Sequence, residues 1–114
     1  MRKTISPRRP DSEKERLKSL CIMDLLDTRD GERFERLARI ARKLFRVPVA
    51  FISLPDYNRD WLLASHGYDM REMPRDVSLC GHAILQRGPF FVNDAHLDER
   101  FHDNPLVTGN PYIR

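Results

Sequence analysis

The most reactive pair of side chains in this 114-residue chain is Cys80 and His82, two positions apart. A thiol beside an imidazole suggests a nucleophile with a general base. Both follow Ser78, whose hydroxyl can accept a hydrogen bond from a backbone amide at a helix start. Asp76 and Ser78 also place oxygen near the positive end of that helix, where a thiolate is favoured. Residues 75–85 are therefore the first candidate for a site.

Helical geometry argues against catalysis by this pair. Two positions along a helix correspond to a rotation of about 200°, so the two side chains point to nearly opposite sides. We expect Cys80 to pack with Ala83 and Ile84 as a small hydrophobic group. His82 is expected to face a loop or solvent. The other histidines lie at spacings that match no metal site, so we expect no catalytic residue and no metal.

Length and composition indicate one small soluble domain or part of one, with 40% hydrophobic and 32% charged residues. No apolar run approaches the ~18 residues that a membrane helix needs. The first ten residues are basic but lack the apolar stretch of a secretory signal. Cys21 and Cys80 form neither a disulfide framework nor a zinc motif. We expect a cytoplasmic protein with reduced thiols and no membrane partner.

Positive charge is concentrated at the N-terminus. Residues 1–20 hold seven Lys or Arg against three acidic residues, whereas the whole chain has a net charge of +3. A basic tail can contact nucleic acid or lipid head groups. Because no aromatic platform or recognition helix accompanies it, we expect no nucleic-acid partner. Residues 1–11 are predicted to be a flexible arm.

Two helices are predicted in the first half of the chain. Ser12 and Glu15 form a capping box, which predicts a helix from Ser12 to about Asp24. The next helix begins at Thr28 or Asp30 and carries a clear apolar stripe. Arginines lie mostly off the stripe. They could indicate an anionic partner, but such rows are more typical of a solvated face.

The second half alternates strands with one further helix. Residues 47–54 are almost continuously apolar and predict a strand covered on both faces. Residues 61–66 return as the second strand of a hairpin. A loop over 67–77, a helix over 78–86 and a short strand over 89–93 follow. The order α, α, β, β, α, β predicts an α+β domain in which helices flank an antiparallel sheet.

An ordered set of segments resembles the GAF domains of bacterial sensor histidine kinases and diguanylate cyclases. The resemblance runs from about Glu13 to Arg114 and comprises Leu25-Leu26-Asp27-Thr28, Glu32-Arg33-Phe34, Val49 to Leu54, Asp60-Trp61, Pro74 to Ile84, Asn93-Asp94-Ala95, Arg100-Phe101 and Asn104 to Val107. It implies that residues 12–114 form a partial, C-terminally truncated GAF domain. Family members continue through further strands after a segment like residues 112–114, and no output kinase or cyclase domain is present.

The resemblance implies a sensory or regulatory module of signal transduction, in a two-component or cyclic di-GMP system, and not an enzyme. Such a module binds a small ligand or mediates dimerisation. Its expected partners are therefore an unknown small molecule, a second copy, or an output domain attached in a longer protein. Phytochrome-type GAF domains carry a bilin on a cysteine, but the residues around Cys80 resemble the group without a chromophore, so no cofactor is expected.

GAF domains that bind ligands do so between the sheet and the segment after the second strand. The residues expected near that space are Trp61, Asp76, Ser78, Cys80 and His82. Core packing is the alternative for Trp61, as for most aromatic residues in strands. The alternative function is that of a small GAF-type redox enzyme with Cys80 as its reactive thiol. Accessibility and a low pKa of Cys80 would distinguish the enzyme from the sensor.

Overall fold

The computed structural model describes residues 5–28, 31–109 and 112–114. Its elements, in chain order, are α1 (Glu13–Met23), α2 (Glu32–Phe45), β1 (Ala50–Pro55), β2 (Arg59–His66), β3 (Glu72–Pro74), a 3₁₀ turn (Arg75–Val77), α3 (Leu79–Ala83) and α4 (Pro105–Thr108). This architecture confirms the predicted α+β class. The predicted N-terminal arm lies partly outside the described residues. Its residues 5–10 have no regular secondary structure.

Helix α1 ends as predicted but begins differently. Asp24 terminates it in the left-handed conformation, with φ 56° and ψ 39°. Ser12 precedes the helix, yet its side chain makes no capping hydrogen bond. Because the Ser12 backbone has ψ 20° and is not extended, its hydroxyl is not directed at the free amides. The predicted capping box is therefore wrong.

Helix α2 begins at Glu32, after both of the predicted starting positions, Thr28 and Asp30. Gly31 precedes it with φ 67° and ψ −149°, a conformation that glycine adopts more readily than other residues. Thr28 closes the preceding turn instead, since its hydroxyl donates to the Leu25 carbonyl at 2.6 Å. Asp30 lies outside the described residues. The helix ends at Phe45 and Arg46 adopts the left-handed conformation, consistent with the predicted end before Pro48.

The predicted hairpin is confirmed, and it forms two strands of a three-stranded antiparallel sheet in the order β1-β2-β3. The central strand is β2, in which residues 61–64 are all buried. The side chains of β1 are mostly half-buried. Both α2 and α3 contact β1, whereas Val47 and Pro48 before it are exposed, so the cover predicted for residues 47–54 is present but incomplete.

Three predictions for residues 67–93 need correction. The loop over 67–77 contains β3, in which buried Met73 pairs with Asp60 between exposed neighbours. The helix over 78–86 is shorter and ends at Ala83. Residues 89–93 form no strand. Half-buried Phe90 and Val92 pack against a cluster built on Phe101, so their apolar character reflects packing and not strand pairing.

The two faces of the sheet are covered by different elements. Leu62 packs with Met73 and Leu106 in a core cluster that Val77 and Leu79 extend, so α3 and α4 lie on this face. Neighbouring strand residues point to opposite faces, which places Trp61 on the other side. Its indole nitrogen there donates to the Thr28 carbonyl at 2.8 Å, just before α2.

Candidate functional site

The start of α3 is held by Ser78. Its hydroxyl accepts a hydrogen bond from the Gly81 amide at 3.2 Å, as the sequence predicts for an N-cap. The same hydroxyl donates to a carboxylate oxygen of Asp60. Ser78 is fully buried, and its one donor and an acceptor position are both in use. Its observed role is therefore to join α3 to β2.

Asp60 is the buried acidic group beneath α3, and sequence reasoning did not select it. Its side chain is fully buried, and no hydrogen-bond partner meets its Oδ1 among the described residues. Burial raises the pKa of this carboxyl, although interactions with the side chains of Ser78, Ser53 and Cys80 oppose the rise. The Asp60 carboxyl group therefore lies in the interior of the domain and is shielded from bulk solvent.

Cys80 faces this polar cluster and not only the apolar residues of its helix. Burial, followed by the negative charge of Asp60, raises the pKa of the Cys80 thiol to about 11. A thiol with this pKa stays protonated near neutral pH and is a poor nucleophile. The arrangement therefore favours an inert thiol at this position.

His82 points away from Cys80, as the rotation along the helix predicts. Its Nε2 lies 3.3 Å from the Ile5 carbonyl oxygen, and its ring meets Phe101 edge-on with centroids 5.0 Å apart. Burial lowers the pKa of this imidazole, so the neutral form is favoured near pH 7. The ring contacts the N-terminal segment and the Phe101 cluster, not a base partner for the thiol.

The N-terminal segment also contacts α3 through Gly81. A Cβ atom at this position would lie 2.7 Å from Cγ of Pro7, which is closer than real Cβ contacts allow. A larger residue would require the Pro7 ring to shift, so glycine lets the segment pass close over the helix. Further along, the Arg9 guanidinium lies 4.7 Å from the centre of the Tyr57 ring. Residues 5–10 thus lie against the domain without forming secondary structure.

The five candidate ligand residues do not line one pocket. Ser78 and Cys80 lie together beneath α3, and His82 faces the opposite side of that helix. Asp76 is exposed in the 3₁₀ turn. Trp61 is buried on the other face of the sheet, where it packs in the core.

A buried ion pair links α1 to the segment before α3. Nη1 of Arg75 lies 3.0 Å from Oε1 of Glu13, and the same guanidinium group donates to the Asp56 carbonyl. Glu13 also accepts from Arg16 at 2.7 Å. Because Glu13 and Arg75 are 62 residues apart, no local pattern reveals the pair. Its geometry fixes α1 against the β1–β2 turn.

An open groove of about 360 Å³ lies away from the candidate residues. It is lined mainly by apolar side chains, from Val47, Pro48, Val49, Phe51, Tyr112, Ile113 and Arg114. Among the described residues, no group of three or more His, Cys, Asp or Glu side chains could hold a metal ion. Within the same residues, no helix is both long and apolar enough to cross a membrane.

The fold and the site define a small α+β domain. At the start of α3 it has a packed polar cluster of Asp60, Ser78 and Cys80, and not a catalytic Cys80–His82 pair. The GAF domain family matches residues 31–114, and the chain belongs to this family. It is also 43% identical over 109 residues to a cyclic di-GMP phosphodiesterase of Pseudomonas aeruginosa. The match covers 96% of this chain and 19% of that protein, so the chain spans about a fifth of its relative's length. Together these matches support a regulatory GAF module in signalling.

Proposed function

We propose that the chain is the cytoplasmic regulatory module of a longer cyclic di-GMP signalling protein and that it acts through contacts with other protein segments. The supporting comparison is the match to a fifth of a cyclic di-GMP phosphodiesterase. Membership of the GAF family and the match to this small a share of the relative support a regulatory part of such a protein. The cyclic di-GMP pathway is therefore favoured over a two-component system.

The observation that carries the proposal is the exposure of large apolar side chains on the two N-terminal helices, α1 and α2. Ile22 and Met23 are exposed on α1, and Leu44 and Phe45 on α2. Contiguous exposed apolar surface is typical of interaction sites in soluble proteins. Contact with another protein segment would remove these groups from water, which stabilises the contact.

Dimerisation through the sheet edge is one form that such contacts could take. Among the described residues β1 has a strand partner on one side only. A free strand edge presents unpaired backbone amides and carbonyls, which can pair with a second copy. The proposed contacts therefore include a second copy of this chain as well as an output domain in the same polypeptide.

Binding of a small ligand is the second form of regulation. The groove of about 360 Å³ beside Val49 and Phe51 has an apolar lining, which suits an apolar ligand better than a charged one. Around Cys80, in contrast, the raised thiol pKa disfavours the alternative redox enzyme. Contact through the exposed helices is the mode with the stronger support.

A chimera tests the proposed function. The matching segment of the Pseudomonas aeruginosa phosphodiesterase is replaced by this chain, and cyclic di-GMP hydrolysis is measured. We expect hydrolysis close to the parent's rate. A second chimera carries Leu62→Asp, which places a charge at a fully buried position and disrupts the module. Its rate is expected to differ from that of the first chimera.

The matched control carries Leu97→Asp, because Leu97 is strongly exposed and the change should leave the fold intact. This chimera is expected to behave like the unsubstituted one. Equal hydrolysis by the intact, disrupted and segment-deleted proteins would contradict a regulatory role. Thermal shift with cyclic di-GMP on this chain gives a separate test of direct binding, for which we expect no shift.

A further inference from the structure

The outer side of α2 carries an exposed apolar ridge. Leu37, Ile40 and Leu44 are 54%, 52% and 73% exposed, respectively. Their spacing of three and then four residues is that of a coiled-coil seam. The ridge extends about 10 Å along the helix at 1.5 Å per residue. Such a seam normally receives the side chains of a second helix.

The inner side of the same helix is already occupied. Ala38 is buried, and Phe34 and Ala41 are half-buried, where α2 packs on β1 and β2. At 100° per residue these three positions lie beside the ridge and not within it. The ridge is therefore additional apolar surface that the sheet does not cover.

Cations follow the other border of the ridge. Arg36 and Lys43 are exposed and lie next to it by helical rotation, and Arg33 precedes Leu37 by one turn. Helix α2 has five Lys or Arg against two Glu, a net charge of +3. Both glutamates lie in its first turn, where Glu32 pairs with Arg39 and lies 3.9 Å from the exposed Arg36, which leaves Lys43 farthest from an acidic group on this helix. The surface around the C-terminal half of the ridge is therefore positive.

We propose that this ridge is a docking surface for an amphipathic helix with acidic flanks, supplied by another protein segment. The proposal rests on the proposed function and identifies the partner's chemistry. Apolar side chains of the incoming helix would pack on Leu37, Ile40 and Leu44. Its carboxylates would lie beside Arg36 and Lys43, as charges flanking a coiled-coil seam do.

The charges disfavour a second copy of this chain at the same surface. In an antiparallel pair of α2 helices, Arg36 would meet Lys43 or Arg36 of the other copy. In a parallel pair, Arg33 would face Arg33 of the other copy, because it lies one turn before Leu37 in the same row as the ridge residues. Like charges placed against each other oppose association. Pairing through the β1 edge is unaffected by this argument.

A membrane surface is also a poorer match. An interfacial helix sinks its apolar face about 5–10 Å into the boundary between head groups and acyl chains. The sheet occupies one border of the ridge on α2, so the helix cannot lie with both borders open to lipid. Among the described residues of α2, the border with Arg36 and Lys43 is the one that faces solvent, and Arg36 there already lies 3.9 Å from Glu32.

Binding of two synthetic peptides to the full chain tests the proposal. Both are 18-residue helices with leucine at the two seam positions of each heptad; one has glutamate and the other lysine at the flanking positions. With a fluorescent label on the peptide, anisotropy gives the Kd. We expect the acidic peptide to bind at least tenfold more tightly than the basic one.

Variants assign the binding to the ridge. Ile40→Glu is expected to weaken the acidic peptide at least tenfold, whereas Leu97→Glu, at an exposed apolar position elsewhere, leaves its Kd unchanged. The double variant Arg36→Glu, Lys43→Glu is expected to reverse the preference between peptides. Circular dichroism melts check that each variant folds, and the double variant changes only exposed positions.

Three results would overturn the proposal. The first is equal binding of both peptides, or of neither. The second is sedimentation with anionic phosphatidylglycerol vesicles that Ile40→Glu abolishes, which would assign the ridge to a membrane. The third is a dimer that the same substitution dissociates, which would assign it to a second copy. The chimera assay is a separate readout, because hydrolysis there can depend on the module even when no peptide binds the ridge.

Discussion

Substitution of Glu13 by glutamine should remove a defined, pH-dependent part of the stability. The Glu13 carboxylate is 14% exposed and contacts Arg75, whose side chain is 3% exposed, at 3.0 Å. Burial alone would raise the pKa of Glu13. Hydrogen bonds from Arg75 and Arg16, together with their charges, outweigh this effect and lower the pKa from 4.5 to about 2.

This difference in pKa sets the expected magnitude. At about 1.4 kcal/mol per pKa unit, it corresponds to about 3 kcal/mol of stability at pH 7. Because the folded-state pKa is the lower one, the contribution is complete above pH 4.5 and is lost as the pH falls towards 2. About 1 kcal/mol should remain at pH 3. Glu13→Gln should therefore cost about 3 kcal/mol at pH 7 and much less at pH 3.

Urea denaturation of the unsubstituted protein and of the variant at pH 7 and pH 3 measures both losses. Glu15→Gln is the matched control, since Glu15 is exposed on the same helix and should change stability by less than about 0.5 kcal/mol. Asp98 also titrates in acid, with a pKa lowered to about 2 by its hydrogen bonds to Arg100, but it is common to all three proteins. A loss for Glu13→Gln that is equal at both pH values would refute the reasoning.

Three further predictions concern Cys80, Ser78 and the edge of strand β1. Cys80 should resist thiol reagents at pH 8 until the protein unfolds, whereas exposed Cys21 reacts at once, and Cys80→Ala should cost about 1 kcal/mol in urea melts. Ser78→Ala should cost about 2 kcal/mol because it removes a helix cap and a partner of a buried carboxyl, whereas Ser12→Ala should change little. Analytical ultracentrifugation at micromolar concentration should show β1-mediated dimers or larger species; a cooperative monomer melting at about 45–65 °C would contradict this prediction.

The elements with strong periodicity could be predicted from sequence. Helix α2 has a stripe repeating every three or four residues, and the β1–β2 hairpin has two apolar runs around a turn cluster. Short elements could not. Strand β3 has one buried residue, Met73, between exposed neighbours, so its composition is that of a loop. Phe90 and Val92 have the composition of a strand but are only half-buried, by packing against Phe101 and its neighbours.

The candidate site was predicted only in its local part. The Ser78 cap follows from the residue type and its position before a helix. The alternation of strand residues could have placed Trp61 and Asp60 on opposite faces, but no sequence signal shows that Ser78 packs on the side of Asp60. Arg75 had no such signal. It lies among charged residues typical of a wet loop, and its partner Glu13 is 62 positions away.

The two sheet faces have surroundings that suit different roles. On the face beneath α3, buried Asp60 and Ser78 and half-buried Cys80 hold each other in place, so a change there costs stability before it changes a contact. Helix α2 on the other face, and α1 beside the β1–β2 turn, leave apolar side chains in water. The Glu13–Arg75 pair joins these regions, because it ties α1 to the segment that positions α3. A partner bound to the helices would therefore act on a domain whose interior is already fixed, and we expect regulation to proceed through the helical face.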